Sequence, residues 1–464
     1  MEGSSPITTA SKAGNKLEMA DSKSSSVVEV ISKETIKPSI PTPEHLKTIK
    51  ISLLDQLSPP LYVPIILFYT AAAATDDDDK EIYENLEYKS NILKKSLSET
   101  LTHFYPLAGR MKDNMVIDCN DEGVDYFEAR VSGNMSEFMK PDAVPQFLPY
   151  DVSCNYSGNG KIQLGVQVNK FDCGGIAIGV CISHKTADAS SMSAFINGWA
   201  STARTGATES PTFDLVHLYP PSCVQIPSEN SFTTQVEGEK VVTKRFVFDA
   251  SKIANLRAKL GDDDDDKKTI TRVQAVTGLI WKCAMSKWAH TSSSTSSKLS
   301  IANLAVNIRW RMDPPLDQLS YGNLLTLATA ASTTEGGSLE ELVGQLKVAL
   351  SKIDAETIKY IQGEGGFMRL QELLGRVHEM FAKGDEVEVY MFSSWCRFPV
   401  YEADFGWGRP TWVSCSSQPY KNTVILMDTR SGDGIEAWVN LVEDDMTLFQ
   451  QNQELLEFVS YTDI

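Results

Sequence analysis

Apolar side chains recur at every second position through Ile162, Leu164, Val166 and Val168, and again through Ile176, Ile178, Val180 and Ile182. Period two marks strands, and Asp172-Cys173-Gly174-Gly175 between the runs supplies the turn of a hairpin. Directly downstream, Met192, Phe195, Ile196 and Trp199 follow i, i+3, i+4, i+7, one face of a helix. His184 keeps the parity of the second strand, so it is expected as its last inward-facing side chain. Asp188 then falls at the start of the helix. Earlier in the chain, Val27–Ile31 predicts a strand. Leu86, Ile92, Leu93, Leu97 and Leu101 stripe a helix over Leu86–His103, which Pro106 and Gly109 break.

Beyond residue 204 the texture changes to Gly, Ser, Thr and Pro with little periodicity, and residues 205–240 are expected as a crossover between two domains. A second mixed region follows. Strands are expected at Arg245–Phe248, Leu299–Ile308, Thr423–Asp428 and Ile435–Leu441, and helices at Thr271–Lys287, Leu339–Ile353 and Asp445–Val459. At 464 residues the chain is too long for one core. The organisation expected is an α/β protein with two mixed-sheet domains of similar size, 27–204 and 241–464, after a disordered extension over 1–26. A ligand site belongs most naturally in the cleft between two such domains.

Charge changes this picture little. The formal net charge is −18, but nine of the acids lie in the runs Asp76–Asp79 and Asp262–Asp266, which read as solvated loops. No Lys/Arg stripe suits nucleic acid. No apolar run is long enough to span a membrane, and residues 1–26 lack the apolar core of a secretory signal. Eight scattered cysteines without a C-x-x-C pair read as reduced thiols, which with the missing signal suggests a cytoplasmic protein. The six histidines form no ligand set, so no metal is expected.

A neutral imidazole at the end of a buried strand suits a general base near pH 7, although a lone histidine at a strand end is more often structural. Ser183 points to the opposite face from His184 and is badly placed as a nucleophile. Asp188, at a helix start, is able to cap the helix or pair with a cation. Lys268, Thr271 and Arg272 stand at another helix start, where phosphate groups of a ligand would be favoured.

His184-x-x-x-Asp188 gains meaning from Asp404-Phe405-Gly406-Trp407-Gly408-Arg409-Pro410, far downstream. Together the two resemble the signatures of the plant acyl-CoA-dependent acyltransferases called the BAHD family. Three further segments are similar to that family in the same order: Leu97–Arg110, Asn307–Pro315 followed by Tyr321-Gly322-Asn323, and Ser393–Arg397. Ser32–Gln56 and Met427–Met446 look most like its alkaloid-acetylating branch.

The resemblance implies two sheet domains with a solvent channel between them, acyl-CoA entering from one face and an alcohol from the other. It implies that residues of about 400–427 pack back onto the first domain. It further implies a monomer that binds no cofactor permanently and moves acetyl from acetyl-CoA to a hydroxyl of an alkaloid or terpenoid. His184 would be the base, and Asp188 would turn from it to pair with Arg309. Ser393 and Trp395 would donate to an oxyanion or to the acceptor, with a buried structural place as the other reading of both. Asp404-Phe405-Gly406-Trp407-Gly408 reads as structural, two glycines allowing a tight turn around buried aromatics. Competing readings are a larger acyl group moved to a phenolic, sugar or amine, a bacterial-type CoA acyltransferase, and a relative that only binds.

Overall fold

The computed structural model describes residues 27–462 apart from 72–78, 152–159, 224–238, 262–269, 288–297, 334–336, 382–385 and 417–419. The first half contains β1 (Val28–Ile36), β2 (Thr48–Lys50), α1 (Leu53–Leu57), β3 (Tyr62–Tyr69) and α2 (Asp79–His103). It continues through β4 (Arg110–Lys112), β5 (Val116–Asp118), β6 (Val124–Val131), β7 (Leu164–Phe171), β8 (Ile176–Ser183) and α3 (Ala189–Thr205). The second half begins with β9 (Val241–Phe248), α4 (Ala250–Lys259), α5 (Arg272–Met285), β10 (Lys298–Asn307), β11 (Leu325–Thr333), α6 (Leu339–Ser351) and α7 (Ala355–Tyr360). It ends with α8 (Gly366–Phe381), β12 (Glu386–Ser394), β13 (Trp412–Ser414), β14 (Thr423–Asp428), β15 (Ile435–Val442), α9 (Glu443–Phe449), α10 (Gln453–Phe458) and β16 (Tyr461–Thr462). The Asp-rich runs fall almost wholly outside the described residues.

Two mixed sheets organise the molecule. One has the order β1-β6-β7-β8-β3-β13 and the other β11-β10-β12-β14-β15-β9-β16, while β2, β5 and β4 form a small third sheet. The predicted hairpin is β7–β8, paired from Leu164↔Ile182 to Lys170↔Ile176. All eight residues of each strand are buried, because α2, α3 and the segment around Phe147 pack against this sheet. The two helices meet through Leu93, Leu97, Phe195 and Trp199, whose indole N–H donates to the Leu93 carbonyl at 3.2 Å. β3 is a continuous apolar run that carries Pro64. β13 pairs with only its Ile66–Phe68 stretch, so on that side Pro64 lies where no ladder needs its missing N–H.

β13 is a strand that the second half lends to the first sheet. The returning segment is shorter than the expected 400–427, because Thr423–Asp428 hydrogen-bonds as β14 in the second sheet. The pleat resolves the difference: Ile425 and Met427 project from β14 into the first core, while Val424 and Leu426 face the second. The single helix expected over Asp445–Val459 is two. Asn452 interrupts it, its side-chain oxygen accepting from Glu454 N (3.0 Å) and Leu455 N (3.2 Å) to start α10.

Polar groups also tie the first domain internally. Glu128 on β6 is 7 % exposed and accepts from Ser90 on α2, Lys94 at 3.0 Å, Lys170 at 3.0 Å and Ser32 at 2.9 Å. Burial opposes its ionisation, but the serine and lysine donors outweigh that and bring the carboxyl down to about 2. A depressed folded-state value stabilises above the unfolded value near 4.5 and is lost as pH falls towards 2. Glu128→Gln is therefore expected to cost about 2 kcal/mol near neutral pH. Urea melts at descending pH should show variant and wild type converging below pH 4. An unchanged gap there would remove the ionic role.

Candidate active site

His184 follows the last residue of β8, and its backbone N–H donates to the Leu61 carbonyl (2.9 Å) beside β3. Its Nδ1 lies 3.0 Å from Asn323 Oδ1. The orientation of that amide follows from its other contacts. Asn323 Nδ2 reaches the Asp55 carboxylate Oδ1 at 2.8 Å and the His184 carbonyl at 2.7 Å, both of which only accept. Asn323 Oδ1 is therefore the acceptor, Nδ1 of His184 carries the proton, and Nε2 keeps a free lone pair. Asp55 in turn takes Asn323 N at 2.7 Å on Oδ1, and Ser52 N and Oγ at 2.9 and 2.7 Å on Oδ2. Burial pushes the Asp55 carboxyl up while these donors oppose the rise. Burial likewise lowers the His184 pKa from 6.5, against smaller opposing contributions that include Asp188 and Asn323.

Asp188 is the N-cap of α3, taking Ser191 N at 2.8 Å. It turns to Arg309, whose Nη1 and Nη2 donate to its two oxygens at 2.7 and 3.2 Å, and it takes Leu324 N at 3.0 Å. Burial raises such a carboxyl, but the guanidinium and the amide donors hold it below the usual carboxylate range. Lys185 donates to the Gln56 carbonyl at 2.7 Å, and burial brings it down to about 8.

These residues border a cavity of about 280 Å³ that lies between the two sheets. His184, Asp188 and Ser190 contribute from the first half, with Leu54, Leu57, Leu61 and Val63. The facing sheet contributes Asn307 and Ala305 of β10, Leu325 and Leu327 of β11, and Met391 and Ser393 of β12, joined by Trp395 and Ile425. Trp395 donates its indole N–H to Ser393 Oγ at 3.2 Å, which leaves the serine hydroxyl proton for another acceptor. Ser183 does not line the cavity.

The other candidates lie elsewhere. Asp404 Oδ1 takes Gly406 N and Gly408 N, each at 2.9 Å, and both glycines have positive φ (109° and 103°). Phe405 packs edge-on to Trp199 at 4.9 Å and stacks on Trp407 at 5.7 Å, so this turn grips the far part of α3 rather than the cavity. Thr271 caps α5, and Arg272 donates to Asp428 at 2.6 Å and to the Gly432 carbonyl at 2.7 Å; neither lines the cavity. Lys268 is outside the described residues. Asp55 and Asn323 were not singled out from the sequence. Ser52-x-x-Asp55 was open to reading as a capping box, but nothing local pointed Asp55 to Asn323.

Asp188→Asn leaves a buried guanidinium without its counter-charge, a loss of about 3–5 kcal/mol. Thermal melts and activity measured on the same samples are expected to fall together. Full stability in the variant would contradict this account of the pair.

Comparison with known proteins shows the family. Residues 26–456 match the family model described as the Transferase family. The chain is 43 % identical to (13S,14R)-1,13-dihydroxy-N-methylcanadine 13-O-acetyltransferase AT1 of Papaver somniferum, over 94 % of this chain and 99 % of that one. It is 40 % identical to salutaridinol 7-O-acetyltransferase of the same plant, again over 94 % and 99 %. The crystal structure of vinorine synthase superposes with a TM-score of 0.74 at 38 % identity, covering 93 % of this chain and 98 % of that one. The chain belongs to this Transferase family, the BAHD acyltransferases whose motifs its sequence carries.

Proposed function

We propose that the protein transfers acetyl from acetyl-CoA to a hydroxyl of an apolar polycyclic alkaloid or terpenoid, with His184 as general base. The observation that carries this reading is the contact of His184 Nδ1 with Asn323 Oδ1, which assigns the proton to Nδ1 and leaves Nε2 as the basic nitrogen of a side chain that lines the intersheet cavity. An alcohol is a poor nucleophile until its proton leaves as it attacks. In this reading Nε2 takes that proton while the alcohol oxygen bonds to the thioester carbon and the carbonyl π pair moves to oxygen. The carbonyl then re-forms, the C–S bond breaks, and the thiolate recovers the proton from the imidazolium. The products are an ester and free coenzyme A, with no covalent acyl-enzyme.

Ser393, with Trp395 donating into it, supplies a hydroxyl donor for the developing oxyanion. Asp188 shapes the site through Arg309 and stays clear of proton transfer. The mainly aliphatic lining favours an apolar acceptor and keeps water from the thioester. The named relatives supply the donor and acceptor classes, since they are O-acetyltransferases, two of them acting on poppy alkaloids and another, from Citrus sinensis, named as a limonoid 7-O-acetyltransferase. The cysteines among the described residues are all free, which supports a reducing, cytoplasmic setting.

Coenzyme A release from acetyl-CoA across a panel of polycyclic alcohols tests the reading. His184→Ala should lose at least ~10²-fold in turnover while still binding coenzyme A, and retention of near wild-type rate would sink the assignment. Because burial lowers the His184 pKa, the base stays neutral below pH 6.5, and the acid limb of the rate profile should lie on that side.

Asn323→Leu removes both the acceptor of the Nδ1 proton and a contact that raises the His184 pKa. The expected result is a kcat loss of roughly 10²-fold, with the acid limb moved to still lower pH. A limb that stays in place would show that Asn323 does not tune the base.

A further inference from the structure

We propose that Asn307 is a further catalytic residue, its side-chain amide N–H donating to the thioester carbonyl oxygen and to the oxyanion that oxygen becomes. The assignment rests on the acetyl-transfer reading above. Asn307 ends β10 and lines the same cavity as His184. Its Oδ1 is occupied twice by one rigid neighbour, taking the Arg309 backbone N–H at 3.1 Å and Nη1 at 3.3 Å. Arg309 is fully buried and held by several other acceptors, so it fixes the amide plane. Nδ2 is thereby turned away from Arg309, and no hydrogen bond to an acceptor among the described residues uses its protons.

The strand register places this donor beside the one already described. β10 and β12 run parallel with Ala305 opposite Ser393, so Asn307 is the next residue on the same face, one strand over. An oxygen between them is positioned to take two donors, the amide of Asn307 and the hydroxyl of Ser393. Ala305, Leu325 and Ile425 around them are apolar. Donors fixed in such surroundings act most strongly on charge that appears only in the transition state. In the step itself the acceptor oxygen bonds to the carbonyl carbon, its proton passes to His184, and the π pair becomes the oxyanion held here. Collapse expels the thiolate, which takes the proton back.

Two variants test the role. Asn307→Asp keeps the shape and both contacts to Arg309 but has no N–H to give, and Asn307→Ala removes the donor without adding charge. Each should lose ~10²–10³-fold in kcat with acetyl-CoA, with KM for both substrates nearly unchanged. The thermal midpoint should hold in the aspartate variant and fall in the alanine variant, where Arg309 Nη1 loses an acceptor. The loss in the alanine variant should be smaller with fluoroacetyl-CoA, because fluorine draws charge from the same oxygen. A raised acceptor KM at unchanged kcat would overturn the assignment and make Asn307 an acceptor-binding residue. Equal kcat losses with both acyl donors, together with a lowered midpoint in the aspartate variant, would overturn it in favour of a prop for Arg309. Wild-type enzyme inactive with both donors would overturn the acetyl-transfer reading and this proposal together, whereas active wild type with unaffected variants would overturn this proposal alone.

Discussion

Arg309 is a guanidinium with no solvent exposure, and the meeting of the two halves of the molecule depends on keeping it satisfied. A charge of that size out of water is tolerated only when every N–H has an acceptor and a counter-charge lies alongside. Nε donates to the Ser320 carbonyl, Nη1 to Asp188 and Asn307, and Nη2 to Asp188, Ser191 and the carbonyls of Ser320 and Gly322. Asp188 and Ser191 belong to the first turn of α3, whereas the remaining acceptors belong to the second half around β10 and the segment before β11. The pair therefore fixes the start of α3 against the opposite domain. His184, one short loop before Asp188, takes its place relative to the cavity from the same lock.

A second tie holds the imidazole itself. Ser52–Asp55, His184 and Asn323 come from three distant stretches, and one amide joins them. His184 and Asp188 are four residues apart and both deeply buried, yet their charge states differ. Burial outweighs every other influence on the imidazole, which is kept neutral and able to accept a proton. At Asp188 the adjacent guanidinium overcomes burial and keeps the carboxylate ionised. Separate environments for neighbouring titratable groups are how one short segment holds both a neutral imidazole and a structural anion.

Legibility in the sequence followed the range of the interactions. The β7–β8 hairpin, the start of α3 and the turn at Asp404 are set by neighbours within a few residues, and periodicity with two glycines was enough to read them. Asn323 contacts His184 at a separation of 139 residues and Asp55 at 268, distances over which no spacing rule operates. The resemblance picked out Tyr321-Gly322-Asn323 as a segment without a role, because that role exists only once the chain has brought Asp55 and His184 to it. The division of β14 between two cores was hidden for a related reason. An alternating pattern shows that a strand has two faces, but not that each face belongs to a different domain. Asn452 failed differently: its neighbours suit a helix, and only its side-chain oxygen on the next turn makes it a cap.

The late aromatic turn explains how a segment outside the cavity can still matter to chemistry. Trp199 lies eleven residues past Asp188, about 16 Å along a helix rising 1.5 Å per residue. Phe405 packs on that ring, Tyr69 of β3 donates to the Ala403 carbonyl at 2.7 Å, and Asn197 of α3 donates to the Pro399 carbonyl at 3.0 Å. α3 is thus held by Arg309 at its first turn and by this segment farther along. A helix transmits displacement between its ends with little loss, so loosening the far grip tilts the near end. What reaches the active site is a shift of Asp188 and of the loop carrying His184. Asp404 contributes to that grip by taking the two glycine amides that shape the turn.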